Sequence, residues 1–217
     1  MNDRIRQPLQ DRSQASMERI LDAFEKLLRK GDYETITINE IAKESATGAG
    51  SIYARFDGKR SILLALHARA RDRARKYFAA LFNPAAQASK DSANESLDAA
   101  VDRITRGMLS WHKRQRHIIR TSLLLNDVDI YQGVSASFRP WGEHLAALLL
   151  SRGAALSEAQ ALAAAIAILQ ITTAALQQWV IFGKIAPVGH RLSDEALVGV
   201  IKAAALGQVQ SQAVPTA

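Results

Sequence analysis

The sequence predicts an all-α fold of about nine helices, with a three-helix head at the N-terminus followed by a larger helical domain. Apolar residues recur at helical spacing in most segments, and helix-start signals and glycine stops separate these segments. No stretch of useful length alternates between apolar and polar residues as a half-buried strand would. We find no internal repeat.

Composition narrows the classes of protein. The 217 residues are 48% apolar, enough for one or two domains with a buried core. The chain has no cysteine, which excludes disulfides, thiolate zinc sites and cysteine nucleophiles. The polar N-terminus lacks the apolar core of an export signal, and the run from Ala161 to Ile171 is the nearest candidate for a membrane span but is too short. These features predict a cytoplasmic protein that does not enter a membrane.

Positive charge is concentrated toward the N-terminus. The net charge is +7, and residues 1–82 carry 16 Lys and Arg against 11 Asp and Glu, whereas residues 83–217 carry 12 against 10. A basic head on a nearly neutral body is typical of a protein that binds a polyanion, although an arginine-rich solvated surface would give the same count.

The first four helices follow from local signals. Apolar residues from Met17 to Leu28 form the stripe of a first helix, which Gly31 ends. Thr37 and Glu40 have the spacing of a capping box and open a short second helix. Residues 45–48 predict a turn, a short third helix follows, and Gly58 separates it from a fourth helix over residues 59–82.

The remaining elements are predicted in the same way. Residues 83–94 are small and polar and predict a linker, after which Ser92 and Glu95 have capping-box spacing for a fifth helix. Further helices are predicted over residues 118–125, 138–150, 157–182, where Ser157 and Gln160 form a third box, and 193–207, with a loop over residues 126–133.

The stretch TGAGSIYARFDGK, residues 47–59, has two incompatible interpretations. A glycine-rich phosphate loop would need a glycine at the position of Tyr53, and a P-loop would also need Ser or Thr where Arg60 stands. Both enzyme motifs therefore fail. A short helix after a tight turn instead predicts a helix-turn-helix, with Ile52 and Phe56 facing inward and the glycines allowing close approach to DNA.

Residues 13 to about 65 resemble the DNA-binding head of the tetracycline-repressor (TetR) family of transcriptional regulators. The resemblance rests on Ile20, Ala23 and Phe24, on TINEIA at residues 37–42, and on GSIYARFDGKRSIL at residues 50–63. It implies a DNA-binding domain over residues 13–60 with a basic arm over residues 1–12. It also implies a ligand-binding and dimerisation domain over residues 61–210.

The resemblance implies contacts to DNA from six residues: Thr37, Ala49, Ser51, Tyr53, Arg55 and Lys59. Lys59 matches the family's phosphate-gripping lysine, and Ser51 and Tyr53 stand where hydroxyls contact phosphate or a base edge. Ala46, Thr47, Gly48 and Ala49 depart from the family pattern, which leaves Ala49 only a thymine-methyl contact. Readout then shifts to Ser51, Arg55 and the arm around Arg4, Arg6 and Arg12, or to the shape of the DNA. Each residue also has a structural alternative, such as helix capping for Thr37.

The resemblance further implies a small-molecule pocket, for which the candidate lining residues are Trp111, Phe138, Trp141, His144, Gln170, Thr173 and Gln177. The last three form a polar stripe on an otherwise apolar helix, and buried polar groups need partners. A ligand is one such partner. Hydrogen bonding across a dimer seam is an equal alternative.

Other chemistry finds no support in the sequence. The five histidines form no pair four residues apart, and no nucleophile elbow or paired-carboxylate motif appears. We therefore predict no metal, no cofactor and no enzyme activity. The basic stretch WHKRQRHIIR, residues 111–120, is interpreted as a solvated helix junction, with attraction of an anionic ligand as the alternative.

The long apolar helices after Ser157 and Asp194 exceed what one chain can cover, which predicts a homodimer. The expected protein is a dimeric, ligand-responsive repressor that binds a pseudo-palindromic operator in double-stranded DNA. The alternative is a helical small-molecule carrier or interaction protein without specific DNA binding.

Overall fold

A computed structural model describes residues 9–83, 95–182 and 192–213 of the chain. Over these residues it contains ten α-helices, one short 3-10 turn and no strand. The predicted all-α class with an N-terminal helix-turn-helix is confirmed. The predicted basic arm (apart from the backbone from Leu9 onward), most of the linker and the loop around Pro187 lie outside the described residues.

The described residues divide into two compact units on either side of the junction between Ala70 and Arg71. The first unit contains α1 (Leu9–Leu28), a 3-10 turn (Tyr33–Thr35), α2 (Ile38–Glu44), α3 (Ala49–Tyr53) and the start of α4 (Lys59–Phe82). The predicted functional boundary between residues 60 and 61 remains a prediction.

The second unit contains the rest of α4 and six further helices. These are α5 (Leu97–Arg114), α6 (Arg116–Leu125), α7 (Val128–Ser135), α8 (Phe138–Ser151), α9 (Glu158–Phe182) and α10 (Asp194–Ala213). Three predicted helix starts are confirmed. Thr37 and Glu40 form a reciprocal capping box, Ser157 and Gln160 bond in the same way, and the Ser193 hydroxyl accepts from the backbone N–H of Ala196.

The predicted loop over residues 126–133 is wrong, because most of it is α7. Asp127 caps this helix by accepting hydrogen bonds from the backbone N–H groups of Asp129 and Ile130, at 3.0 and 3.3 Å. Ile130 is 1% exposed and anchors the helix to the unit. The Asp127 cap and the burial of Ile130 together stabilise α7, an eight-residue segment whose local sequence pattern was too weak to predict a helix.

The predicted capping box of Ser92 and Glu95 is also wrong. The helix begins at Leu97 and is capped by Ser96, whose side chain accepts from the backbone N–H of Ala99. Glu95 instead forms a two-pronged ion pair with Arg103, with bonds of 2.8 and 2.9 Å. The guanidinium of Arg103 holds the pKa of the Glu95 carboxyl below its usual value.

The core of the first unit is formed by α1, α2, α3 and the start of α4. Its fully buried side chains come from all four helices and include Ile20, Phe24, Ile41, Ile52 and Ile62. At the edge of this core, Arg69 of α4 bonds to three acidic side chains of α1, at 2.7 to 3.0 Å: Glu18, Asp22 and Glu25. Apolar packing and this ion-pair cluster together fix α4 against α1.

The core of the second unit lies among α4, α5, α8, α9 and α10. Tyr77 and Phe78 of α4 pack there against Trp111 and Trp141, with ring centroids 4.7 to 5.5 Å apart. A side chain at Gly107 would lie 2.5 Å from a methyl carbon of Leu81, so a larger residue there would force the Leu81 side chain to move. The Tyr77 hydroxyl donates to the Gly107 carbonyl oxygen at 2.9 Å.

Helix α9 is the most apolar helix described. Residues 158–179 have a mean hydropathy of 1.7, which by length and composition alone would suit a membrane span. One face of α9 is buried in the helical core through small and branched side chains, including Ala161, Ala165 and Leu169. The core therefore accounts for the apolar residues of that face.

His112 lies within the second unit at 5% exposure. Its Nδ1 is 2.8 Å from the carbonyl oxygen of Met108, so the neutral ring carries its hydrogen on Nδ1 and donates it. Burial lowers the pKa of His112, and the bond to Met108 opposes this only in part. The folded protein thus holds a histidine that resists protonation.

We expect the protein to lose stability as the pH falls below about 6.5, where the unfolded chain binds a proton at His112 and the folded chain does not. Each pH unit below that value should lower the free energy of unfolding by up to about 1.4 kcal/mol from this residue. Urea unfolding at pH 7.5 and pH 5.5 measures the loss, and His112→Gln should lose less. Other groups titrate alike in both proteins, so equal losses would contradict the assignment.

Candidate nucleic-acid interface and small-molecule cavity

The turn between α2 and α3 has an alanine, not a glycine, at its left-handed position. Ala46 has a φ of 51°, in the left-handed region that glycine usually occupies. The backbone N–H of Thr47 returns to the carbonyl oxygen of Ala42 at 3.0 Å, and the hydroxyls of Ser45 and Thr47 lie 2.6 Å apart. These bonds hold the tight turn that a helix-turn-helix requires, despite the strained residue.

Helix α3 presents one side to the core and the other to solvent. Ile52 is 0% exposed, and Phe56 just beyond the helix is also buried. Ser51, Tyr53 and Arg55 are exposed. A side chain added at Gly48 or Gly50 would meet no atom within 4 Å, so packing does not require glycine there. The missing side chains leave the start of α3 open to a close-approaching surface.

Thr37 lies exposed at the start of α2, and its hydroxyl already forms the hydrogen bonds of the capping box. It donates to the carboxylate of Glu40 at 2.8 Å and accepts from the Glu40 backbone N–H at 3.2 Å. Hydrogen bonds from Thr37 hold the pKa of Glu40 below its usual value. To donate to a DNA phosphate, this hydroxyl would have to turn away from Glu40.

Lys59 is tied to the 3-10 turn that precedes α2. Its ammonium donates to the backbone carbonyl oxygens of Tyr33 at 2.7 Å and Glu34 at 3.2 Å, and lies 4.3 Å from the centre of the Tyr33 ring. An ammonium has three donors, so one remains for an outside acceptor. The sequence did not indicate the contact with Tyr33, because the two residues are 26 positions apart and only the fold brings them together.

A cavity of about 480 Å³ lies in the second unit between α6, α7, α8 and α9. One wall is α9, with Gln170, Thr173, Ala174 and Gln177. The facing wall comes from α6 and α7, with apolar residues such as Ile119, Ile130 and Val134 beside polar Ser122, Asn126 and Ser135. Phe138, at the start of α8, also lines the cavity.

Four of the seven predicted pocket residues line this cavity: Phe138, Gln170, Thr173 and Gln177. Trp111 and Trp141 do not, because they pack in the aromatic cluster around Phe78. His144 does not either, since it lies on the exposed side of α8. The α6–α7 wall was missed, because residues 126–133 were predicted as a loop.

The basic stretch from Trp111 to Arg120 does not contribute its clustered cations to the cavity. Lys113 pairs with Asp194 of α10, and the Arg114 guanidinium lies 4.9 Å from the centre of the Tyr77 ring. In the part of the chain that the structure describes, no group of three or more His, Asp or Glu residues is placed to hold a metal ion.

Comparison with known proteins finds a family match within the first unit. Residues 20–66 match the family model described as bacterial regulatory proteins, tetR family. This range contains α2, the turn, α3 and Lys59. A search of curated proteins returned no match by sequence.

Solved structures resemble the chain over nearly its whole length. A structure from Mesorhizobium loti, with a provisional TetR-family description, has a TM-score of 0.70 at 14% identity and covers 92% of this chain and 98% of its own. A TetR-family regulator from Streptomyces coelicolor has a TM-score of 0.62 at 16% identity, covering 94% and 84%. The dihydroxyacetone kinase operon activator DhaS has a TM-score of 0.55 at 14% identity, covering 90% and 97%. These likenesses establish a TetR-like fold.

Because α3 is held to the first unit mainly by Ile52, we expect Ile52→Ala to lower the free energy of unfolding by about 2–5 kcal/mol, as removal of a fully buried isoleucine typically does. Ser51→Ala, at the exposed neighbouring position, is the control and should change it by less than about 0.5 kcal/mol. Urea unfolding followed by circular dichroism measures both. Equal effects would show that Ile52 does not anchor α3.

Proposed function

We propose that this chain, a TetR-family transcriptional regulator by its residues 20–66, is a homodimeric repressor that leaves its operator when a small molecule occupies the cavity. We further propose that it acts in the cytoplasm, has no enzyme activity and binds pseudo-palindromic double-stranded DNA. The observation that carries the proposal is the geometry of α3, in which a buried Ile52 leaves hydroxyl and basic side chains facing outward.

The exposed side chains around α3 suit different parts of DNA. Arg55 donates one guanidinium hydrogen bond to the Ser51 carbonyl oxygen at 2.9 Å, which leaves its other donors for phosphate. Lys59 has one donor left for the same purpose. Ser51 is the candidate for a base edge, and Ala49 is small enough to contact a thymine methyl group. Tyr53 offers a phenolic hydroxyl at 60% exposure.

A two-fold dimer would place two copies of α3 on successive major grooves, about 34–36 Å apart. The face available for pairing is apolar and built of small side chains. On α9 it includes Ala163, Ile171 and Ala174, and on α10 it includes Val200 and Ala203, all of them exposed. Exposed apolar side chains on two neighbouring helices are what an interface between two chains would bury, which supports a seam made of these two helices.

A carrier without specific DNA binding is the second candidate, and the cavity is the observation that favours it. The two candidates differ in whether the first unit recognises DNA. Fluorescence anisotropy with DNA that flanks the protein's own gene tests this at low salt without ligand. A reporter gene behind the bound sequence then shows repression or activation. Binding no tighter than to random DNA would contradict the proposed regulator.

We expect three substitutions to affect DNA binding in different ways. Lys59→Ala should weaken binding to operator and random DNA alike and lower the salt slope by about 1, because it removes one phosphate contact. Tyr53→Phe should cost roughly 0.5–1.5 kcal/mol with little change in slope. Ser51→Ala should weaken only operator binding and relax one base position. Anisotropy titrations across salt concentrations measure all three.

Circular dichroism serves as the control for these variants, since Lys59 also bonds to the 3-10 turn. A folded Lys59→Ala protein with an unchanged salt slope would show that this ammonium serves only the turn and does not contact phosphate.

We expect Val200→Glu to produce monomers in analytical ultracentrifugation and to weaken operator binding, because it buries a charge in the proposed seam. Val128→Glu is a matched control, since both valines are similarly exposed at 58% and 62% and Val128 lies on α7, which contributes no residue to the proposed seam. That control should remain dimeric. A dimeric Val200→Glu protein would show that the chains pair through another surface.

A further inference from the structure

The cavity has hydrogen-bonding capacity on its α9 wall that the chain itself does not use. Within the described residues, the side chains of Gln170, Thr173 and Gln177 have no hydrogen-bond partner. They lie on one face of α9, three and four residues apart. Amide and hydroxyl groups offer both donors and acceptors, so this wall can bond to hydroxyl, carbonyl or amide groups.

The facing wall combines the same chemistry with apolar surface. Asn126 and Ser135 are polar and likewise have no partner among the described residues. The lining also includes apolar side chains, among them Leu123, Val134 and Phe138. A molecule that fills the cavity would therefore contact apolar surface along its body and neutral polar groups on opposite sides.

Charge is nearly absent from the lining. Among the described residues of the lining, the only charged one is Asp127, and one of its oxygens already accepts the two backbone hydrogen bonds that cap α7. No lysine, arginine or histidine of the described part of the chain lines the cavity. An anion would find no cation to pair with, and a cation would find only a carboxylate that is already engaged. Either ion would lose hydration without full compensation.

From this lining we propose that the cavity selects an uncharged amphiphile, with an apolar body and hydrogen-bonding groups at its ends, against anions and cations of the same shape. The inference rests on the proposed function, because it names the chemical class of the effector. The volume of about 480 Å³ lies within the range of sites for drug-sized molecules, so a two-ring compound is a suitable probe.

Three matched probes share a biphenyl body and differ only in the head group: biphenylmethanol, biphenylcarboxylate and biphenylmethylammonium. Isothermal titration calorimetry at pH 7.5 on the full chain measures their affinities. We expect the alcohol to bind at least ~10-fold more tightly than either ion, since neither ion is paired in the cavity. Equal or tighter binding of an ion, or no binding of the alcohol, would overturn the inference.

Substitutions at adjacent glutamines place the binding in this cavity. Gln177→Leu should weaken binding of the alcohol by roughly 3–10-fold through loss of a hydrogen bond. Gln178→Leu is the matched control, because Gln178 is exposed and does not line the cavity, and it should leave the affinity unchanged. Gln177→Arg should raise the affinity for the carboxylate by about tenfold by supplying the missing cation. Equal effects at both glutamines would place the binding elsewhere and overturn the inference.

Operator binding, measured separately by anisotropy without probe, distinguishes the two proposals. A protein that prefers the alcohol but does not recognise DNA would retain the inferred site and refute the regulator. A protein that recognises its operator but shows no preference for the alcohol would refute the inferred ligand class and leave DNA binding intact.

Discussion

The proposed DNA-binding face depends on one constraint, which is that a five-residue helix cannot hold its own shape in water. Helix α3 is kept in place by Ile52 and Phe56 in the core beneath it and by the bonded turn before it. The other helices of the first unit form the core in which these two side chains are buried. The contacts that stabilise α3 are on its buried side. On its outward side, the described contact is the hydrogen bond from Arg55 to the Ser51 carbonyl oxygen.

Many basic side chains of the protein are used internally, and this changes the meaning of its positive charge. Arg69 bonds to three carboxylates of α1, and Lys59 bonds to backbone carbonyl oxygens of the 3-10 turn. In the second unit, Arg106 forms a paired bond with Glu195. A count of charges along the sequence therefore overstates what is available to DNA. Which charges are available depends on their position on the surface. Arg55 is one of many basic residues, but it lies on the exposed side of α3, where a charge is accessible.

Helix α9 combines a buried face, a polar stripe and an exposed apolar face. Ala161 and Leu169 pack in the core, Gln170, Thr173 and Gln177 line the cavity, and Ala163 and Ile171 are exposed. The polar stripe therefore lies next to the proposed seam, so that a molecule in the cavity would contact the helix that we propose pairs the two chains. This placement offers a physical route from ligand to dimer geometry.

The sequence by itself determined the all-α class, the helix starts at Thr37 and Ser157 and the inward position of Ile52, because capping and helical periodicity act between residues a few positions apart. It also identified the polar stripe of α9. Only the tertiary structure decided that α7 is a helix, that Lys59 bonds to the turn at Tyr33, and that Trp111 and Trp141 pack in the core instead of lining the cavity. These depend on contacts between residues distant in the chain or on which face of a helix its neighbours bury, and local patterns carry no information about either.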